Sequence, residues 1–159
     1  MPLNTSSLLA PDGARRLPAV SVVVCLLGLS CAAPVLAAGV LPQGGAYVSG
    51  SGSISTSGNA LTVTQPGSSR GVINWNSFSI GKTNIVNIDN GAGATLNRVT
   101  GGTPSMLLGK LNATGSVYLI NPQGVVVGQQ GVITTGGRFV ASTLDTDNAS
   151  FMNGGALTF

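Results

Sequence analysis

The sequence predicts an all-β fold, and three observations support this prediction. Short runs of strand-forming residues recur at spacings of roughly ten residues or less, separated by turns of Gly, Asn and Ser. Glycine is abundant, with 24 residues, and only 7% of the 159 residues are charged. Many runs are apolar at both odd and even positions. A β-sandwich and a β-solenoid both fit. The scarce charge, the Gly and Asn corners and the lack of clear hairpin dipeptides at strand junctions favour the solenoid.

A secretory leader is predicted at the amino terminus. Two arginines precede an uncharged stretch whose apolar centre is followed by alanines. We predict a signal peptide over residues 1–37, cleaved after Ala37, with Ala33 and Ala38 as alternative cleavage positions. A retained membrane helix, a lipid anchor at Cys31 and a twin-arginine signal are weaker interpretations, because prolines flank the apolar stretch and the neighbouring residues fit those signals poorly.

Both cysteines of the chain, Cys25 and Cys31, lie in the predicted leader. Exported proteins often carry disulfides, because the compartments that they enter are oxidising. A chain without disulfides stays unfolded more easily while it passes through a narrow pore. The alternative is that a sufficient β core needs no covalent cross-link. About 120 residues follow the leader, enough for one domain with a core.

Composition excludes several kinds of active site. The chain has no His and no Glu, and its only acids are four Asp, which excludes His-dependent triads and leaves few candidates for paired-carboxylate catalysis. Asp145 and Asp147 share a parity and could together bind a cation weakly, but two aspartates in a polar loop are usually solvated. After the leader, five cations and three acids give a net charge of +2, and the scattered cations argue against nucleic acid as a partner. We therefore predict a protein that is not an enzyme and has no cofactor or metal.

The first predicted strands follow the leader in order. Residues 39–60 predict irregular edge strands and turns, and residues 61–64 predict an alternating strand that ends at a Gln-Pro-Gly turn. Residues 71–75 predict the next strand. The alternation then slips, because Phe78 does not share a face with Trp75 in a straight strand, and a corner at positions 76 and 77 would return both side chains to the core.

Further short strands are predicted over the rest of the chain. They cover residues 85–88, the surroundings of Leu96 and Val99, and residues 117–120, 125–127, 131–134, 138–141 and 156–159. Residues 103–108 are ambiguous between a strand and a helical turn that opens at Pro104. The last strand carries no polar cap, which solenoids need for solubility. We therefore expect a truncated or incomplete domain.

The most informative motif is Asn121-Pro122-Gln123-Gly124-Val125. Pro122 sets φ for the second position of a β-turn, Asn121 can accept a hydrogen bond from its own backbone at the first, and Gly124 suits the fourth. Strand-forming residues flank the motif on both sides. It therefore predicts a strand-turn-strand unit.

The order of these segments resembles the N-terminal secretion domain of two-partner-secretion exoproteins, the filamentous-haemagglutinin type of Gram-negative bacteria. Residues 71–81 resemble the family's early Trp/Phe strand pair, residues 97–99 and 109–115 its next block, and residues 139–143 the strand that follows. The resemblance covers about residues 39–159, and its specificity comes from the succession of blocks.

The turn at residues 121–125 resembles the family's Asn-Pro-Asn-Gly-Ile signature. Gln123 replaces the Asn at the third position, and Val125 replaces the Ile. The first replacement puts in doubt any role that needs the side chain of that Asn. A second family motif, of Asn-Pro-Asn-Leu type, has no match, so the chain resembles the subgroup that lacks it.

The resemblance implies a right-handed parallel β-helix with an N-terminal cap of irregular strands over residues 38–159, incomplete at its C-terminus. It also implies export by the Sec machinery, recognition by the polypeptide-transport-associated domains of an outer-membrane transporter, and a secreted or cell-surface location. Host glycan or matrix binding would lie in missing downstream regions. The turn at residues 121–125, with Trp75 and Phe78, is the candidate export determinant, and the alternative is that all of them are structural. A stand-alone surface adhesin, a vestigial β-helix fragment and a polysaccharide-active enzyme are the competing functions.

Overall fold

The computed structural model describes residues 40–159, where nearly all regular structure is β. In chain order the elements are β1 (Ala46–Ser49), β2 (Ser53–Ser57), β3 (Ala60–Thr64), β4 (Arg70–Trp75), β5 (Ile85–Asp89), β6 (Ala94–Val99), β7 (Ser105–Leu107), β8 (Lys110–Ala113), β9 (Ser116–Ile120), β10 (Val125–Val127), β11 (Val132–Thr135), β12 (Phe139–Ser142) and α1 (Asn148–Asn153). The signal peptide predicted over residues 1–37 lies outside the described residues and stays a prediction. Within the described range, no helix has the length and hydropathy needed to cross a membrane.

The strands form a β-solenoid of about four coils. Its two large sheets have the strand orders β1-β4-β6-β9-β12 and β2-β3-β5-β8-β11, and the pair β10-β7 forms a third side. We call these the first, second and third sheets. Leu61 pairs with Val86, and Val86 pairs with Leu111, so equivalent positions are about 25 residues apart, within the range of solenoid repeats. The predicted parallel β-helix is confirmed, and the sandwich alternative is wrong.

Two strands cap the amino-terminal end of the solenoid. β1 pairs with β4, and β2 pairs with β3, and both pairs are antiparallel, whereas the coils pair in parallel with one another. A register shift between Tyr47 and Ser49 makes β1 irregular. The cap covers the first coil's edge, which would otherwise expose unpaired backbone groups. This is the N-terminal cap that the resemblance implies.

The interior of the solenoid is an apolar core that receives side chains from successive coils. Trp75 and Phe78 lie inside it, each 1% exposed, with their rings edge to face at 5.4 Å between centroids. β4 ends at Trp75 and the chain bends at Asn76, which confirms the predicted corner. The Trp75 Nε1–H donates a hydrogen bond to Asn97 Oδ1 at 3.0 Å, and Asn97 Nδ2 donates to the Tyr118 carbonyl at 3.3 Å. The polar side-chain groups of Trp75 and of the buried Asn97 therefore all have partners.

A smaller apolar cluster lies on the outer face of the first sheet, beneath α1. Phe151 of α1 is fully buried and meets Tyr118 edge to face at 5.3 Å. Val72, Leu96 and Ile120 belong to the same cluster. Because this sheet is covered on both faces, its strands are apolar at both parities, which is the pattern seen in the sequence.

Two arginines hold α1 against the sheet. Arg98 Nε donates to Asp145 Oδ1 at 2.8 Å just before the helix, and Arg98 also donates to the Thr146 carbonyl and the Asn148 side chain. Arg70 Nη1 donates to the Phe151 carbonyl at 3.0 Å near the other end of the helix. Both ends of this short helix are thus tied to strands of the first sheet.

The carboxyl-terminal segment differs from the sequence prediction. α1 was not predicted, and it begins where Asp147 Oδ2 accepts a hydrogen bond from Ser150 N at 2.9 Å. This bond lowers the pKa of Asp147, and hydrogen bonds from the backbone N–H groups of Ala149 and Asn148 lower it further. The strand predicted at residues 156–159 is wrong, because Leu157 packs on the outer cluster and the segment has no strand pairing. The ambiguous residues 103–108 contain strand β7, and β8 was missed.

Candidate functional site

The turn at residues 121–125 joins two different sides of the solenoid. β9 precedes it in the first sheet and β10 follows it in the third sheet, so the flanking strands do not pair with each other. Gly124 N donates to the Asn121 carbonyl at 2.9 Å, which closes the predicted β-turn. Gly124 has φ of 106°, a backbone conformation that favours glycine. The turn is therefore a corner between sheets, with the residue roles that the sequence predicts.

The Asn121 side chain is 0% exposed and uses both of its polar atoms. Oδ1 accepts from Gln123 N at 2.9 Å, while Nδ2 donates to the Thr103 carbonyl at 3.0 Å and to Ser105 Oγ at 2.9 Å. Ser105 opens β7 in the preceding coil. One side chain therefore closes its own turn and ties that turn to the coil beneath. The arrangement needs an acceptor and two donors on a short side chain, which is an asparagine amide.

Backbone hydrogen bonds join the same corner to both neighbouring coils. Ser105 N donates to the Gly124 carbonyl at 2.9 Å, and Asn121 N donates to the Ser142 carbonyl at 2.9 Å. Pro122 and Gln123 form the exposed tip of the turn. Gln123 contributes to the turn through its backbone N–H, which donates to Asn121 Oδ1. The geometry of the turn is therefore compatible with Gln where the family signature has Asn.

Trp75 and Phe78 lie at the same corner of the solenoid as Asn121. Trp75 ends β4 in the first coil, and its carbonyl accepts from Thr100 N at 2.8 Å, in the next coil. Asn121 follows β9, one coil further on. Two strand spacings of about 4.8 Å separate these levels, which places them about 10 Å apart along the solenoid. The structure therefore aligns both sequence-predicted sites on one edge, with the Trp75 and Phe78 side chains facing the core.

Sequence reasoning missed a second set of buried amides, at the corner between the second and first sheets. Asn90 is 0% exposed, and its Nδ2 donates to Thr95 Oγ1 at 3.0 Å and to the Ser116 carbonyl at 2.9 Å. Its Oδ1 accepts from Gly115 N at 2.6 Å. Gln65 occupies the equivalent place one coil earlier. The signal was a polar amide directly after each of two strands, about 25 residues apart, at repeat spacing.

The two aspartates that the sequence singled out lie before α1 and have structural roles. Residues 40–159 contain no group of three or more His, Cys, Asp or Glu side chains that could hold a metal ion. Asp145 pairs with Arg98, and Asp147 caps α1. Both aspartates that the sequence placed together thus have structural partners.

Comparisons with known proteins agree with this architecture. The family model described as "TPS secretion domain" matches residues 38–158. Two proteins of Haemophilus influenzae named "Heme/hemopexin-binding protein" are 41% identical over 112 residues and 39% identical over 97 residues, covering 69% and 60% of this chain. The chain spans 12% and 10% of those relatives. The crystal structure of the HMW1 secretion domain from Haemophilus influenzae superposes with a TM-score of 0.62 at 35% identity, covering 69% of this chain and 29% of that one.

Proposed function

The chain belongs to the family of TPS secretion domains, and on that premise we propose that an outer-membrane β-barrel transporter recognises it and exports the exoprotein that carries it. TPS exoproteins are secreted by Gram-negative bacteria. In the proposed route, the Sec machinery delivers the chain to the periplasm, where the polypeptide-transport-associated domains of the barrel bind it. The observation that carries the proposal is the family match over residues 38–158.

The physical character of the segment supports recognition of an extended chain. Strand addition to a partner needs accessible backbone and few charges. Residues 40–159 are rich in Gly, Ser and Thr, sparsely charged and free of cysteine. Such a segment pairs readily through its backbone, and no disulfide fixes it before it reaches the barrel.

The burial of the candidate residues indicates how they contribute to export. Asn121, Trp75 and Phe78 are each at most 1% exposed, so a partner cannot reach their side chains in the folded solenoid. We therefore assign the three buried side chains to folding after translocation. Pro122 and Gln123 are exposed at the tip of the turn, so they are accessible to a partner in the extended chain and also in the folded solenoid. This assignment separates the motif's effect on export into a buried and an exposed part.

Folding outside the cell gives export a direction. Each coil uses the preceding coil as the template for parallel pairing, and the antiparallel cap provides the first template. Once coils form on the outer side, backward movement requires that buried apolar side chains return to water, at roughly 1.5–3 kcal/mol for each large side chain. The solenoid therefore retains the translocated chain.

Co-expression with a cognate barrel tests this proposal. The chain is expected in the culture medium when the barrel is present, and in the periplasm when the barrel is absent or lacks its periplasmic domains. Immunoblots of both fractions, with a periplasmic marker enzyme as the lysis control, provide the measurement. Release without the barrel, or retention in the presence of a barrel that exports its own substrate, would overturn the proposal.

We do not extend to this chain the heme or hemopexin binding that the names of the Haemophilus relatives state. The matched segment is 12% of the length of the first of these relatives. This chain also has no histidine, a common axial ligand of heme iron. A stand-alone adhesin or a polysaccharide-active enzyme would act without a barrel, so the same co-expression experiment separates those functions from export.

A further inference from the structure

A polar cleft of about 430 Å³ lies on the outer face of the first sheet, beside the carboxyl end of α1. Its lining includes Arg70, Arg138, Tyr118, Ser68 and Ser116, together with small residues. Among residues 40–159, no acidic side chain lines it. We call this site the arginine cleft, and it is separate from the corner that carries residues 121–125.

The register of the coils explains why the arginine cleft exists. Arg70 pairs with Ala94, and Ala94 pairs with Ser116. Arg138 lies beside Ser116 in the next coil, where its N–H donates to Ser116 Oγ at 3.0 Å. One column on the sheet therefore has an arginine at each end and two small residues between them. Three strand spacings of about 4.8 Å give this column a length of about 14 Å.

Both arginines retain donors that a ligand can use. Arg70 donates from Nη1 to the Phe151 carbonyl, and its guanidinium carbon lies 5.1 Å from the centre of the Phe151 ring. A guanidinium has five N–H donors, so this arrangement fixes the group and leaves others available. Arg138 is exposed. The only ion pair within residues 40–159 joins Arg98 to Asp145, outside the cleft lining.

We propose that the arginine cleft binds a small organic oxyanion, of the class of carboxylated or phosphorylated sugars. Guanidinium groups hold carboxylate and phosphate oxygens through paired N–H donors. Ser68, Ser116 and Tyr118 line the same cleft and carry hydroxyl groups, which suit the hydroxyls of a sugar. The volume lies within the range of about 300–1,000 Å³ that is usual for small-molecule sites. This binding is independent of export.

Titration of the purified chain tests the proposal, with glucose 6-phosphate, glucuronate, inorganic phosphate and glucose as probes. Calorimetry or NMR is expected to give a Kd on the order of 1 mM for at least one of the two acidic sugars, corresponding to about −4.1 kcal/mol. Inorganic phosphate is expected to bind more weakly, and glucose to show no saturable binding. The two acidic sugars distinguish a carboxylate site from a phosphate site.

Matched variants locate the binding. Arg138→Gln removes an exposed charge from the cleft and is expected to weaken binding about tenfold, or about 1.4 kcal/mol, with an unchanged melting temperature. Lys110→Gln removes the same charge from the second sheet and is expected to leave the Kd unchanged. Equal binding of glucose, equal losses in both variants, or an Arg138→Gln protein that binds like the parent would each overturn the proposal.

Discussion

Two buried asparagines hold two different corners of the solenoid, and they do so by different means. Asn121 closes a turn of its own and reaches back to residues 16 and 18 positions earlier. Asn90 has one partner five residues away and others 24 to 26 residues away, in the following coil. Both corners contain a backbone turn, since Gly124 N donates to the Asn121 carbonyl and Gly93 N donates to the Asn90 carbonyl. The Asn121 side chain also bonds within its own turn, whereas the Asn90 side chain bonds mainly to the following coil.

The difference explains which corner a sequence motif reveals. A local turn needs neighbouring residues of particular types, so Asn121 stands in a recognisable run with Pro122 and Gly124. A cross-coil amide needs only the right depth and register, so Asn90 stands in an ordinary Asp-Asn-Gly segment. A buried asparagine can therefore be structurally important in this fold without lying in a recognisable sequence motif.

Trp75→Ala sets the scale for the comparison, because Trp75 belongs to the core that both corners enclose. The change is expected to lower the free energy of unfolding by about 3–5 kcal/mol, and it also leaves Asn97 Oδ1 without its donor. Urea denaturation followed by circular dichroism provides the measurement. Trp75→Phe, which keeps an aromatic ring, is the control and should lose less. A loss below about 1 kcal/mol would contradict the assigned burial.

Asn90→Ala is expected to have the next largest effect. It removes an amide whose partners are Thr95, Ser116 and Gly115, and a buried polar group left without a partner costs about 1–3 kcal/mol. We expect a loss of about 3 kcal/mol in the free energy of unfolding. The fluorescence of Trp75, the only tryptophan of the chain, can follow the transition. If Asn90→Ala costs less than Asn121→Ala, the proposed ranking of the corners is reversed.

Asn121→Ala is expected to cost about 2 kcal/mol and to reduce secretion through the barrel, because Ser105 and the Gln123 N–H lose their partner. Gln123→Ala is the matched variant at the exposed tip, and its stability should change by less than about 0.5 kcal/mol. Secretion of both variants, measured beside their unfolding free energies, separates two roles. Loss of secretion with Gln123→Ala at unchanged stability would mean that the partner reads the surface of the turn.

The smallest expected effect is a dependence of stability on acid pH, through the residue that caps α1. Asp147 has a pKa below its ordinary value because its carboxylate accepts backbone hydrogen bonds at the start of the helix. A lowered pKa contributes stability above the unfolded-state pKa of about 4, and this contribution is lost as the pH falls through the lower folded-state value. Asp147→Asn should therefore flatten the slope of stability against pH below about 4 in urea titrations. An unchanged slope would contradict the capping role.

Much of the fold follows from period and turn chemistry, while the exceptions depend on tertiary contacts. The corner after Trp75 was predictable, because the alternation of apolar residues slips there by one position. The helix α1 was not predictable, since a helix of only six residues is unstable alone and forms here because Phe151 packs on the outer face of the first sheet. The strand predicted at residues 156–159 is wrong for the same reason, because Leu157 serves that outer cluster.

The candidate site was predictable in part. The residue roles in the turn at residues 121–125 follow from local conformational preferences, and the structure contains them. The burial of Asn121 and its bond to Ser105 depend on the register between coils, which no local pattern encodes. The arginine cleft is a stronger case, since Arg70 and Arg138 come together only through the pairing of four coils.

The in-register columns also restrict how the length of such a chain can change during evolution. One residue inserted within β6 would shift its alternation and exchange Leu96 on the outer face with Asn97 on the inner face. An insertion at the exposed tip beside Gln123 would leave every column in place. Duplication of a whole coil of about 25 residues would extend the columns by one level. Homologues are therefore expected to differ by tip insertions or by complete coils, and rarely by single residues within strands.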